Sequence, residues 1–560
     1  MNVRGARDWL RRGYSGFGVI VAVTFVIASL SPSLLPTTWY VRAAVAGLLA
    51  SLGYGFGVLL SWAARRVAAL LGLKVSVGRR QGRVLQVLLV LVVAVLFLWT
   101  TVANIRSEAV TAQLVGLRPL TFSQWVFGAG VMLAVAALFV SIGRLVRRTY
   151  RRVESRTARF IPQVAATAVA VVAVTLVTSF ITGQVIVGGL VNVITRAATS
   201  ANEVTSTRAR PTSPLVTGGP GSPVSWDSLG FEGQNFTAMA LTPAQIEQVN
   251  GRAAMQPIRV YAGLRPDGDL KATAATVVAE LKRTKAFDRK VLAVYTTTGT
   301  GWVNEWSAQS FEALADGDCA IAAMQYSVLP SYVAFVVDRQ TPVDAGKALF
   351  DAVYAEWSTL PANHRPQLVV SGESLGAYGA NSAFANVADM QSRAQGGVFS
   401  GTPSFTANMG ELFADRLQGS PQISPVIDNG THIRFPSAAY GQTADYVGRP
   451  FGTWVEPRFV YLQHPSDPVV WWSPSLMFDQ PDWLREPRGR DVNPTMRWYP
   501  MVTFWQVTGD MAVGVSPTFG HGHKYGREYV GAWASVLGQN PGGDWNAYAD
   551  QLEKIINYQD

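Results

Sequence analysis

Five apolar runs in the first 200 residues constrain this chain more than any other feature. They cover approximately 14–35, 40–62, 84–103, 125–146 and 164–194. About 20 apolar residues in a helix cross the hydrocarbon core of a bilayer, so each run predicts a membrane span. The spans hold almost no ionisable residue at mid-depth. Intramembrane charges mark ion and substrate paths, so the pattern argues against a transporter. The fifth run, of about 30 residues, predicts a tilted or projecting helix. A cleavable signal peptide is the rival reading of the first run. Its basic leader fits, but no small-x-small cleavage site follows it, and further spans do.

Basic residues give these spans a direction. Arg4, Arg7, Arg11 and Arg12 precede the first, and Arg65, Arg66, Lys74, Arg79, Arg80 and Arg83 lie between the second and third. Arg144, Arg147, Arg148, Arg151, Arg152, Arg156 and Arg159 lie between the fourth and fifth. The alternate loops carry only Arg42, then Arg106 and Arg118. Because cytoplasmic loops are enriched in Lys and Arg, the N-terminus and residues 63–83 and 147–160 are predicted inside. Everything after residue 197 is predicted outside. The expectation is a multi-pass protein of the cytoplasmic membrane with a periplasmic or otherwise extracytoplasmic C-terminal part.

The net charge of +10 belongs to that first third. Residues 1–200 hold 21 basic and three acidic side chains; the remainder holds 26 and 34, a net of −8. Nucleic acid is excluded as a partner, because it would need a basic patch on the folded domain. The lipid bilayer is the partner the composition names. Cys319 is the only cysteine, so no intrachain disulfide can form, and its apolar neighbours read it as a buried small residue.

Residues 1–196 therefore read as a transmembrane helical domain. Residues 197–225, rich in Ser, Thr, Pro and Gly, read as a linker. From 226 to 560, short apolar runs alternate with helical patterns. Strands are predicted at 258–262, 291–296, 320–326, 367–371, 397–400 and 459–463, and helices at 272–284, 345–358, 377–393 and 525–537. Such alternation predicts a mostly parallel sheet with helices on both faces, and sites at the carboxyl ends of its strands.

One of those ends carries Gly372-Glu373-Ser374-Leu375-Gly376. Gly-x-Ser-x-Gly between a strand and a helix is a nucleophile elbow, a turn too tight for side chains beside the serine. In that architecture an acid and then a base follow along the chain. Asp467, in a turn just past the strand ending at 463, is the predicted acid; Asp445 and Asp510 are weaker candidates because neither closely follows a good strand. The base must come later, which leaves His521 and His523 in Gly-His-Gly-His-Lys-Tyr. His523 is favoured because it is nearer the C-terminal helix, with His521 second. A His-x-His pair can also bind zinc, but no third ligand is visible, so neither metal nor cofactor is expected. His464 reads as a structural loop residue.

An oxyanion needs two backbone N–H donors. Leu375, after the serine, is one candidate. The loop Thr298-Gly299-Thr300, after an earlier strand, supplies the other. Between Asp467 and His523 lies an aromatic-rich insertion, about 471–505. Trp471 and Trp472, with Trp302 near the oxyanion loop, are candidate substrate-binding residues; the competing reading is that the tryptophans pack the domain.

Residues 291–335, Ser371–Gly379, the Asp467 turn and the His-Gly-His-Lys-Tyr loop resemble a family of membrane-anchored α/β-hydrolases of actinobacterial type. The resemblance covers nearly the whole chain and implies an N-terminal multi-span segment, a C-terminal α/β-hydrolase fold and a Ser-His-Asp site at Ser374, Asp467 and His523. The expected activity is a serine esterase or lipase acting through an acyl-enzyme on acyl esters, with lipid or cell-envelope substrates. The alternatives are an acyltransferase with the same residues, and a non-catalytic membrane scaffold that keeps the fold.

Overall fold

The computed structural model describes residues 15–72, 79–436, 442–540 and 543–556. Arg4, Arg7, Arg11, Arg12 and Lys74, used above for orientation, lie outside the described residues. The chain forms two compact units. One comprises the residues up to 190 with 474–484 and 491–513; the other comprises 191–473, 485–490 and the residues from 514 onward.

The first unit is helical: Gly16–Ser29, Trp39–Leu70, Arg79–Leu114, Phe122–Thr157 and Gln163–Phe180, the last continuing through a π-helical stretch, Ile181–Val187, into Gly188–Asn202. Among the described residues, four segments are long and apolar enough to cross a membrane: Trp39–Leu70, Leu91–Leu114, Phe122–Thr157 and Gln163–Asn202. The first predicted span is a shorter helix of 14 residues. It ends at Ser29 instead of Leu35 because Pro32 disfavours helical backbone at the residue before it, and Pro36 follows closely. Leu98, Trp99, Phe127, Leu133 and Leu176 remain exposed on these helices. An apolar surface of that extent fits contact with lipid.

Small residues let the helices approach. A Cβ on Gly57 would lie 2.8 Å from Gly18 Cα, and one on Gly53 would lie 2.9 Å from Val21 O. Gly53-x-x-x-Gly57 is thus the contact stripe between Gly16–Ser29 and Trp39–Leu70, where close backbone packing replaces the hydrophobic drive that lipid removes.

The segments 474–484 and 491–513 group with this helical unit, which corrects the reading of the whole aromatic insertion as part of the hydrolase domain. Helix also continues to Asn202, into the range read as linker; residues 203–225 contain no helix or strand.

The second unit is built on a seven-stranded sheet in the order β1-β3-β2-β4-β5-β7-β6. The strands are β1 Ile258–Ala262, β2 Val291–Thr296, β3 Cys319–Met324, β4 Gln367–Glu373, β5 Gly396–Ser400, β6 Ile433–Arg434 and β7 Arg458–Leu462. All pairings are parallel. Strand side chains alternate between faces. Val260, Leu292, Val294, Ala322, Leu368 and Val370 share one core with residues of the helices Leu270–Arg283 and Gln340–Thr359. Ala293, Tyr295, Ile321, Val369 and Val460 share the other with Glu305–Leu314 and Glu528–Val536. Burial on both faces is why the strands read as continuous apolar runs. The helix predicted over 377–393 is two helices, Leu375–Ser382 and Val387–Arg393, the second capped by Asn386, whose side chain accepts from Asp389 N–H.

A charged pair is buried in this unit. Arg259 on β1 bonds Glu312 through Nε–Oε1 at 2.5 Å and Nη2–Oε2 at 2.9 Å, with both side chains almost wholly buried. Removing one partner strands the other charge. Glu312→Ala is therefore expected to cost about 3–5 kcal/mol of stability, with Arg259→Met/Glu312→Leu recovering much of it. The thermal midpoints of the solubilised variants measure both. A double variant no more stable than Glu312→Ala would contradict this account.

Candidate active site

Gly372 and Gly376 make the turn at the carboxyl end of β4. A Cβ on Gly372 would lie 2.4 Å from Gly376 C, and one on Gly376 would lie 2.3 Å from Thr296 O. Neither position has room for a side chain. Ser374 between them holds φ 58°, a left-handed value that costs about 1–3 kcal/mol outside glycine. Its N–H donates to Ser400 O at 2.9 Å, which ties the turn to the end of β5.

Asp467 follows β7 and is fully buried. Its Oδ1 accepts from the N–H groups of Val469 (2.8 Å) and Val470 (3.4 Å), capping the short helix Pro468–Trp471. Its Oδ2 accepts from Tyr525 Oη and meets His523 Nδ1, each at 2.7 Å. Both oxygens are thus committed, which fixes the plane of the carboxylate and the orientation of the ring it holds.

His523 is fixed by backbone as well. Its N–H donates to Gly514 O at 2.7 Å, and the N–H of Gly522 donates to Ser466 Oγ at 2.8 Å. Gly401, immediately after Ser400, has φ 56°, and a Cβ there would lie 2.4 Å from His523 Cε1. The imidazole therefore sits against the segment that anchors Ser374. An ionised Asp467 makes Nδ1 the donor, which leaves Nε2 as the basic nitrogen. Nε2 is buried and has no hydrogen-bond partner among the described residues. Burial pulls the imidazole pKa down, but Asp467, by charge and hydrogen bond, and Glu373, by charge, outweigh it and hold it above its ordinary value.

The other histidines and acids lie elsewhere. His521 forms a backbone bridge with Lys524. His464 meets Glu528 Oε1 at 2.9 Å and Gly522 O at 2.8 Å, and stacks on Tyr525 at 4.2 Å between centroids. Asp445 pairs with Arg449 at 2.6 Å, and Asp510 bonds residues 33–35 of the helical unit.

Two of the oxyanion-loop donors are occupied. Thr298 N–H donates to Trp302 O at 3.0 Å, and Gly299 N–H to Ser331 Oγ at 3.2 Å. This corrects the even weighting of the loop and leaves Thr300 as its remaining predicted donor. Leu375, the first residue of Leu375–Ser382, carries an N–H with no intrahelical acceptor by position. Trp471 is also corrected. It is buried, and its Nε1 donates to His464 O at 3.1 Å, so it packs the acid's loop. Trp302 is half-buried, with Nε1 to Glu305 Oε1 at 3.2 Å. Trp472 packs edge-on against Phe335 at 5.3 Å, with the Arg339 guanidinium 5.4 Å above its ring. Phe405 bridges Phe335 (5.2 Å) and Tyr378 of the elbow helix (5.5 Å), so an aromatic cluster runs from Trp472 to the nucleophile's own helix.

Glu373 was not singled out in the sequence, although it is the variable residue before the serine. Its Oε2 accepts from Tyr529 Oη at 2.7 Å and Asn304 Nδ2 at 2.8 Å. Burial pushes its carboxyl up to about 7; Asp467 adds to the rise, and His523, Tyr529 and Asn304 oppose it.

The fold is matched by sequence. Residues 258–552 match the alpha/beta-hydrolase family, and residues 30–240 match the N-terminal region of that family. The chain belongs to the alpha/beta-hydrolase family. Its apolar helices fit a membrane-anchored member. No curated protein and no solved structure matches the chain.

Proposed function

We propose that the protein is a membrane-anchored serine hydrolase of esterase or lipase type. One observation carries the reading: His523 Nδ1 is held 2.7 Å from buried Asp467 while Nε2 stays buried and without a hydrogen-bond partner among the described residues, and the ring lies against Gly401, next to the Ser400 carbonyl that anchors the elbow serine. In this reading His523 takes the proton of Ser374 as its hydroxyl attacks an ester carbonyl. Asp467 stabilises the imidazolium, and Leu375 N–H with the Thr300 loop holds the oxyanion. The alcohol leaves with the proton from His523. Water then attacks the acyl-enzyme and releases the acid. The aromatic cluster of Phe335, Phe405, Trp472 and Tyr378 offers the apolar wall an acyl chain needs. Tethering near a bilayer raises the effective concentration of lipid and envelope esters.

Two measurements test this. The full-length protein is expected to react with a fluorophosphonate probe and to release free acid from a lipid ester. Absence of both rejects the reading. Transfer of the acyl group to added alcohol in preference to water would make the enzyme an acyltransferase. For orientation, a periplasm-specific reporter fused after residue 560 is expected to be active, and activity of a cytoplasm-specific reporter there would reverse the topology.

A further inference from the structure

Three segments at the carboxyl end of the sheet bring one aromatic ring each to a single arginine. Phe335 comes after β3, Phe405 after β5 and Trp472 after β7. The Arg339 guanidinium carbon lies 5.3 Å from the Phe335 ring centroid, 4.8 Å from that of Phe405 and 5.4 Å from that of Trp472. Sites of parallel α/β sheets form at this end, and Ser374 lies there too, just after β4. The link to the nucleophile is short. Tyr378 N–H donates to Ser374 O at 2.9 Å, so Tyr378 stands one turn along the elbow helix, and its ring meets Phe405 edge-on at 5.5 Å. The charge reaches it: burial raises the Tyr378 phenol pKa, and the Arg339 guanidinium opposes the rise.

Arg339 uses little of its bonding capacity within the protein. Nε donates to Phe335 O at 2.9 Å. A guanidinium has five N–H donors, so the four on Nη1 and Nη2 remain. Among the described residues no carboxylate pairs with them. They reach water, since no Arg339 nitrogen is both buried and unbonded. The neighbouring Asp338 is occupied otherwise: its Oδ1 accepts the Thr341 N–H at 3.1 Å. Two other stacked arginines of this unit behave differently. Arg393 lies over Phe350, Tyr354 and Phe384, and its Nη2 meets Asp351 Oδ1 at 2.6 Å. Arg434 lies over Phe451 and Trp454 and donates to the carbonyls of Gly430, Gln442 and Gly452. Arg339 has the aromatic support without the acceptor. Rings that orient the plane and shed water from its faces leave a planar fork preorganised for an oxyanion.

We propose that Arg339 is a specificity-determining residue that binds an anionic group, phosphate or carboxylate, carried on the ester near the carbonyl that Ser374 attacks. The substrate class is then an anionic acyl ester. Its acyl chain lies on the ring surface that the guanidinium leaves uncovered, and its anion takes the place that Asp351 fills beside Arg393. A phosphate would sit on the alcohol side, as in a glycerophosphate ester, and a carboxylate on the acyl side, as in a dicarboxylic half-ester. The inference rests on the serine-hydrolase reading and names its substrate.

The test uses the full-length protein in detergent with soluble esters in matched pairs. Butyryl glycerophosphate against monobutyrin places the anion on the alcohol; para-nitrophenyl hemisuccinate against para-nitrophenyl butyrate places it on the acyl group. Turnover is expressed per fluorophosphonate-reactive serine, so lost protein does not count as lost rate. In one pair Arg339→Gln is expected to lower the ratio of kcat/KM, anionic over neutral, by about 10-fold to 100-fold, the scale of hydrogen bonds to a charged group. That pair identifies phosphate or carboxylate as the group bound. Arg339→Lys should restore part of the ratio, because it keeps the charge and loses the fork. Raising ionic strength should narrow the wild-type ratio and leave that of Arg339→Gln unmoved. A purely structural role would lower both esters of a pair alike. Where turnover is too slow to follow, protection of Ser374 from the probe by the same compounds gives the same ratio. If Arg339→Gln does not accumulate, the wild-type salt dependence decides, and a ratio that salt leaves unmoved overturns the inference. Ratios unchanged by Arg339→Gln in both pairs, with a reactive wild type, overturn the inference alone. A wild type that neither reacts with the probe nor cleaves any ester overturns the hydrolase reading beneath it.

Discussion

Ser374→Ala is expected to abolish fluorophosphonate labelling and to lower ester turnover by about 10⁶-fold, the scale on which loss of the nucleophile acts in a well-studied serine protease. The substitution keeps Cβ and removes only Oγ, so the turn need not rearrange. It is also expected to leave stability almost unchanged, because the strain at φ 58° belongs to the backbone and is held by Gly372, Gly376 and the Ser374 N–H to Ser400 bond. The measurement is turnover and probe incorporation in purified full-length protein, with thermal unfolding as the control for folding. Normal turnover in well-folded Ser374→Ala protein would remove Ser374 from the mechanism.

Asp467→Asn is expected to cost about 10⁴-fold in kcat with the protein still folded. Asp467 performs two jobs with different oxygens: Oδ1 caps Pro468–Trp471, and Oδ2 holds His523 and Tyr525. An asparagine has one acceptor oxygen. If that oxygen keeps the cap, the amide NH2 faces Nδ1 and drives the ring to the tautomer with its proton on Nε2, which is no base. His523→Ala should fall comparably, and His521→Ala should lose far less, since the bond to Asp467 belongs to His523. In the wild type, activity should decline toward acid with an apparent pKa above that of an ordinary imidazole, because protonation removes the base and the folded site favours the protonated form. Equal losses in the two histidine variants, or an acid limb below the ordinary imidazole range, would count against the assignment.

The parts of the site legible in the sequence are those whose chemistry demands particular residue types at particular places. Ser374 stood out because two glycines flank it between an apolar strand and a helix. Asp467 and His523 followed from chain order and from their places after a strand and before a helix. The sheet was legible because burial on both faces leaves uninterrupted apolar runs. β6 was not, since two residues are too few to form a pattern. Arg259 sits inside an apolar strand, and only the fold reveals Glu312 opposite it. The commitments of Thr298 and Gly299 N–H, the packing of Trp471 and the burial of Glu373 likewise depend on partners distant in sequence. The end of the first apolar helix was overrun because Leu34 and Leu35 extend the apolar run, while Pro32 and Pro36 stop the backbone. The grouping of 474–484 and 491–513 with the helical unit has no periodic signature, since Gln506 and Asp510 act through a few hydrogen bonds to backbone and hydroxyl groups of residues 29–35.

Cys319 opens β3 with no exposed surface, and burial pushes its thiol well above the ordinary range. Maleimides react with thiolates that water can reach. The native chain should therefore be silent toward them while folded. Single cysteines introduced at polar loop positions can then be read one at a time, with permeant and impermeant reagents, and the native thiol need not be removed first. A protein with several apolar helical segments and one shielded thiol comes ready for mapping which of its loops faces which side of the membrane.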